Sequence, residues 1–215
     1  MAYILVFGDS TAYGAWDYEG GGWVNRLRKF LDQKMAAHPK EFYMTYNLGI
    51  DGHSTEDWLP IFEAELKTRA KIAIEYDEPI VVIIELGGND SYFINSQRRH
   101  NVSTQEFQKR LQKLFSIAKK TTKHVFYVSP APCDESKTIP WVGDRELTFK
   151  NEYFKEYSNL AKAVCKVEKV GFIDVFDKVK KTAGFASHDG LHLSSKGHQK
   201  IFEIVKEALI KAKIV

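Results

Sequence analysis

Five short apolar runs recur along the chain, each closed by a turn and separated by stretches whose apolar residues return at helical spacing. The first, Tyr3 to Phe7, runs into Gly8-Asp9-Ser10-Thr11. Rich in Ile, Val and aromatic residues and without polar alternation, it reads as a strand buried on both faces, as in a parallel sheet. Phe42 to Leu48 ends in Gly49-Ile50-Asp51-Gly52, and Ile80 to Leu86 ends in Gly87-Gly88-Asn89-Asp90. Val125 to Val128 leads into Ser129-Pro130-Ala131-Pro132, and Val170 to Val175 supplies the fifth strand. Ile80 to Leu86 is the most hydrophobic and is expected at the centre of the sheet.

Between these runs the period changes from buried strand to amphipathic helix. Trp23, Leu27, Phe30 and Leu31 form one inward stripe. Ser54 with Asp57, and Ser103 with Glu106, have the spacing of capping boxes that open helices carrying Leu59, Phe62, Leu66 and Ala70, then Phe107, Leu111, Leu114, Phe115 and Ala118. Tyr153, Tyr157, Leu160 and Val164 mark a fourth helix, and Ser194 caps a last one bearing Ile201, Phe202, Val205 and Leu209. The polar connection after Pro132, which holds Trp141, is long enough to act as a lid. Regular alternation of strand and helix predicts a three-layer α/β/α sandwich around a mainly parallel five-stranded sheet, with flavodoxin-like strand order.

Composition narrows the class of protein. At 215 residues, 44% hydrophobic and 27% charged, the chain is expected to fold as a single globular domain over 1–215. A net charge of +3, with lysines scattered over helices, argues against nucleic acid as a partner. Cys133 and Cys165 have neither metal-ligand nor redox spacing and suit a reducing compartment. The first strand starts too near Met1 for a secretory leader, and no apolar run reaches membrane-spanning length, so a cytoplasmic protein is expected.

Parallel strands bring their carboxyl ends to one edge, where Ser10, Gly49, Asn89 and the segment from Asp189 to His192 can meet. Serine needs a base to take its proton, and the oxyanion formed on an acyl carbon needs prepositioned donors. His192 suits the base, and Asp189, three residues earlier, can hold its other ring nitrogen. The backbone N–H groups of Ser10 and Gly49 and the amide of Asn89 suit the oxyanion hole. Gly49 is preferred to the neighbouring Gly52 because it lies at the strand end. Thr11, Tyr13, Trp16, His53, Tyr92, Phe93 and Trp141 are candidate pocket residues. Asp9 and Asp90 read as turn and loop tethers. His188 and His192 lack a third partner for a metal, and no cofactor is implied.

In four ordered blocks, Gly8-Asp9-Ser10, Gly49, Gly87-Gly88-Asn89-Asp90 and Asp189-Gly190-Leu191-His192, the chain resembles the SGNH hydrolases, also called the GDSL esterase/lipase family. The resemblance implies a serine esterase acting on small or medium acyl esters, with the roles just described. Thr11 departs from the family pattern, which has leucine or isoleucine there. Acyl transfer to an acceptor other than water uses the same acyl-enzyme. A receiver-like signalling domain binding Mg²⁺ through Asp9 or Asp90, or a flavin-binding module, also suits the strand order but leaves Ser10, Asn89 and the Asp189–His192 pair unexplained.

Overall fold

The protein is described here from a computed structural model covering residues 2–215. Five parallel strands, β1 (Ala2–Gly8), β2 (Tyr43–Gly49), β3 (Ile80–Glu85), β4 (His124–Val128) and β5 (Gly171–Ile173), form one sheet in the order β2-β1-β3-β4-β5. Every residue of β1 and β3 is buried, as their unbroken apolar runs require.

Side chains of a strand alternate between faces, so each strand feeds two cores. On one face Leu5, Phe7, Val82 and Ile84 pack against α2 (Thr55–Glu75), α3 (Thr104–Lys119) and α4 (Asn151–Glu168) through Trp58, Phe62, Leu111, Phe115 and Ala161. On the other, Ile4, Val6, Val81 and Ile83 meet α1 (Gly22–Ala37) and α5 (Ser195–Lys211) through Trp23, Leu27, Ile201 and Val205. The result is the three-layer sandwich expected from the sequence. Among the described residues no helix is long and apolar enough to cross a membrane.

Two features depart from the pattern reading. Ser10–Tyr13 is a short helical turn that no apolar stripe announces; Asp9 caps it and Gly14 ends it in the left-handed region at φ 101°. A small antiparallel sheet also joins Arg99–His100, Phe93–Ile94 and Leu147–Thr148, each too short to show a period. Through it the connection after Pro132 is fastened to the body, and Asp134 N–H donates to the carbonyl of Gly190 at 2.7 Å.

Candidate active site

The carboxyl end of β1 sets the position of Ser10. A Cβ on Gly8 would fall 2.5 Å from Cβ of Ala12 and 2.8 Å from the carbonyl oxygen of Glu85, so the tight entry into the turn requires glycine. Asp9 Oδ1 then accepts the N–H of Thr11 at 2.8 Å. Ser10 is buried, and as the first residue of the turn its own N–H has no acceptor among the described residues.

From the other end of the chain, His192 reaches the same point. Its Nε2 lies 3.1 Å from Ser10 Oγ, and its Nδ1 lies 2.6 Å from Asp189 Oδ2. Asp189 Oδ1 accepts the backbone N–H groups of Leu191 at 3.1 Å and His192 at 3.0 Å, which fixes the carboxylate against its own turn. Burial pushes the Asp189 carboxyl up. Its bond to His192, the charge of that ring and the two backbone donors outweigh burial and hold it at about 2. The arrangement can remove a proton from a serine hydroxyl and keep the resulting imidazolium beside an anion.

Asn89 follows β3 in a short helical turn, Gly88–Ser91. Its Nδ2 donates to the carbonyl of His53 at 3.2 Å, which leaves the second amide hydrogen free, and its backbone carbonyl accepts Asn101 Nδ2 at 2.9 Å. Ser10, Asn89 and His192 share one cavity of about 30 Å³, whose wall includes Thr11, Glu85, Pro130, Ala131, Phe149 and Leu191. Gly49 is not part of it. Its N–H donates to Asn47 Oδ1 at 3.0 Å, and a Cβ there would lie 2.2 Å from the nitrogen of Tyr13. Gly49 is a close-packing glycine, and the expectation that it supplies an oxyanion donor gives way. Gly52, at φ 73°, has open space around its α-carbon and an N–H without an acceptor among the described residues.

Comparison with known proteins identifies the family and the fold. The model of the GDSL-like lipase/acylhydrolase family matches residues 4–205. The chain belongs to that family. This GDSL hydrolase is 26% identical over 208 residues to a human isoamyl acetate-hydrolyzing esterase 1 homolog, a match covering 93% of this chain and 77% of the relative. It is also 26% identical to a GDSL esterase/lipase of Arabidopsis thaliana, over 96% of this chain and 85% of the relative. Its fold matches a lipase/acylhydrolase from Enterococcus faecalis with a TM-score of 0.71 at 24% identity, covering 97% of this chain and 95% of the other. A catalytic mutant of Axe2, an acetylxylan esterase from Geobacillus stearothermophilus, superposes with a TM-score of 0.69 at 18% identity, covering 95% and 92%. The protein is a carboxylic ester hydrolase.

The remaining candidate residues of the GDSL hydrolase divide. Thr11 lines the cavity with Ser10. Tyr13 and Trp16 line a separate groove of about 570 Å³ where the Ser10 turn meets β2, and Trp16 also touches Asp189 and His192 through its indole nitrogen. Trp141 stands edge-on to His192 with ring centres 6.4 Å apart. His53, Tyr92 and Phe93 do not line the cavity: the first packs on Trp58, the second on Phe149, and the third on His100 and Tyr153 in the small sheet. Phe149 and Phe154, which do wall it, were not legible as site residues. They follow a loop whose path nothing in the local pattern sets.

Three buried carboxyls adjoin the site, with Asp9 and Glu85 in the cavity wall and Asp90 behind it. Asp9 is pushed up to about 6 and Asp90 to about 7, both by burial, against the opposing hydrogen bonds from Thr11 and Thr55. Burial and the charge of Asp9 hold Glu85 well above the usual carboxylate range, and its Oε2 has no partner among the described residues. Asp90 accepts both the N–H of Thr55 at 3.0 Å and its hydroxyl at 2.5 Å, so it ties the β3 turn to the start of α2.

Proposed function

We propose that this hydrolase cleaves esters of short acyl groups, acetyl foremost, through an acyl-enzyme on Ser10. The observation that carries the reading is the line from Ser10 Oγ through Nε2 and Nδ1 of His192 to Asp189, with separations of 3.1 and 2.6 Å. Nε2 takes the hydroxyl proton as Oγ attacks the carbonyl carbon, and the imidazolium is held by Asp189. The oxyanion is met by the N–H groups of Ser10 and Gly52 and by the free hydrogen of the Asn89 amide. Gly52 is assigned because its N–H is unengaged and the next residue, His53, is bonded to Asn89. His192 then returns the proton to the departing alkoxide, and water enters by the same steps in reverse order to release the acid.

The small acyl group is supported by the narrowness of the cavity at Ser10, about 30 Å³, with Phe149, Phe154 and Leu191 in its wall. The names of two similar proteins, one a homolog of an isoamyl acetate-hydrolyzing esterase and one an acetylxylan esterase, support the same acyl group. An organophosphonate is expected to add one adduct by intact mass, mapped to Ser10, and Ser10→Ala is expected to lose both adduct and turnover. A panel of chromogenic esters is expected to favour acetyl over octanoyl by about tenfold or more in kcat/KM. A folded Ser10→Ala variant with undiminished turnover would end this reading, and a preference for octanoyl would end its acyl assignment.

A further inference from the structure

We propose that Trp16 is a positioning residue of the Ser10–His192–Asp189 relay, acting through an indole N–H bond to Asp189 Oδ2; the proposal rests on the reading of that relay as the catalytic one. Trp16 Nε1 lies 3.3 Å from Asp189 Oδ2 and 3.1 Å from His192 Nδ1. For Nε2 to accept the Ser10 proton, Nδ1 must carry a hydrogen, which it gives to Oδ2 over 2.6 Å. A protonated Nδ1 cannot accept from the indole, which is a donor only. The indole hydrogen therefore goes to Oδ2. With Leu191 and His192 N–H on Oδ1, the carboxylate receives four donors, which fills its acceptor capacity.

Trp16 is 44% exposed, but the backbone that carries it is fastened on both sides of the residue. Its neighbour Ala15 donates its N–H to the Ser10 carbonyl at 3.0 Å, so one backbone turn holds both the nucleophile and the indole. The carbonyl of Ala15 accepts Nε2 of buried His198 at 3.0 Å, and burial holds that imidazole at about 4, neutral and able to donate from one nitrogen. Next along, the buried Asp17 carboxylate accepts the N–H groups of Gly20 and Gly22 and pairs with Arg26.

Since the indole and Nδ1–H share Oδ2, Trp16 moderates how tightly Asp189 holds the imidazolium. Deleting the donor is expected to strengthen the His192–Asp189 bond and move the acid limb of the kcat/KM profile upward, by about half a pH unit. Asp9 and His198 act on His192 through space, and His188 on its own loop packs against Trp16. All three remain in the variants, so they do not generate the shift.

Trp16→Phe keeps a ring and loses the N–H. Incorporation of 3-benzothienylalanine at position 16 keeps the bicyclic shape and replaces N–H by sulfur, so it decides the matter if the phenylalanine variant fails to fold. The expected result in either is an upward-shifted acid limb, lower kcat with KM within about twofold, and a downfield move of the low-field Nδ1–H proton resonance of His192. An unshifted limb and an unmoved resonance in the folded benzothienyl variant would overturn the proposal. Organophosphonate labelling of Ser10 in the unaltered enzyme is run alongside. Its absence would mean that the relay itself was misread, an outcome distinct from an unresponsive indole.

Discussion

Asn89 has one amide hydrogen on the His53 carbonyl and one unengaged, so a single side chain both fastens the Gly52–His53 loop and lines the cavity it shares with Ser10 and His192. Asn89→Ala is expected to lower kcat by about a hundred- to a thousandfold in steady-state assays, with the fold retained. Gly49→Ala tests the reassignment from the opposite direction. Its Cβ would meet the Tyr13 backbone at 2.2 Å, so the expected outcome is a loss of about 2 kcal/mol or more in urea unfolding. If Gly49→Ala were as stable as the parent and lost only turnover, the glycine would return to the oxyanion hole. Ser10, Asn89, Asp189 and His192 were legible because small polar or charged groups interrupt or follow apolar runs at one sheet edge. The choice between two glycines three positions apart was not, since it depends on Asn47 capturing one N–H.

At the scale of elements, the start of α2 links stability to the site. Ser54 and Asp57 form the capping box that the spacing predicted, with Ser54 N–H on Asp57 Oδ2 at 2.8 Å. Ser54→Ala is expected to cost about 1 kcal/mol and lower Tm by about 2–4 °C in thermal melts. It should also lower kcat, because His53, bonded to Asn89, precedes the cap. Long helices with a cap and an apolar stripe were readable, and so were strands buried on both faces. The helical turn at Ser10 and the three-stranded small sheet were not, because two to four residues carry no period and their stability comes from distant partners.

For the molecule as a whole, the buried acids set how stability responds to pH. Asp9, Asp90 and Glu85 all have folded values above their unfolded ones, so their contributions are complete below about pH 4 and are lost as pH rises, through about 6 for Asp9 and about 7 for Asp90. His198 works the other way: held down at about 4, it contributes above its ordinary value of 6.5 and loses that contribution as pH falls. Three carboxyls outweigh one imidazole, so the urea midpoint is expected to be higher at pH 5 than at pH 7.5, and Asp90→Asn should flatten the dependence. A midpoint that rises steadily from pH 5 to pH 7.5 would contradict the burial of these acids. The order β2-β1-β3-β4-β5 matches the flavodoxin-like order expected from alternation and right-handed crossovers. The acidic floor was not, since Glu85 looks like one polar residue in an otherwise apolar strand.

The contact that joins Ser10 to His192 spans 182 residues of chain. Ester cleavage therefore serves as an assay for complete assembly: a polypeptide cut between β3 and β4 should yield two inert pieces, and recovery of turnover on mixing them would measure how well the halves find each other without a covalent link.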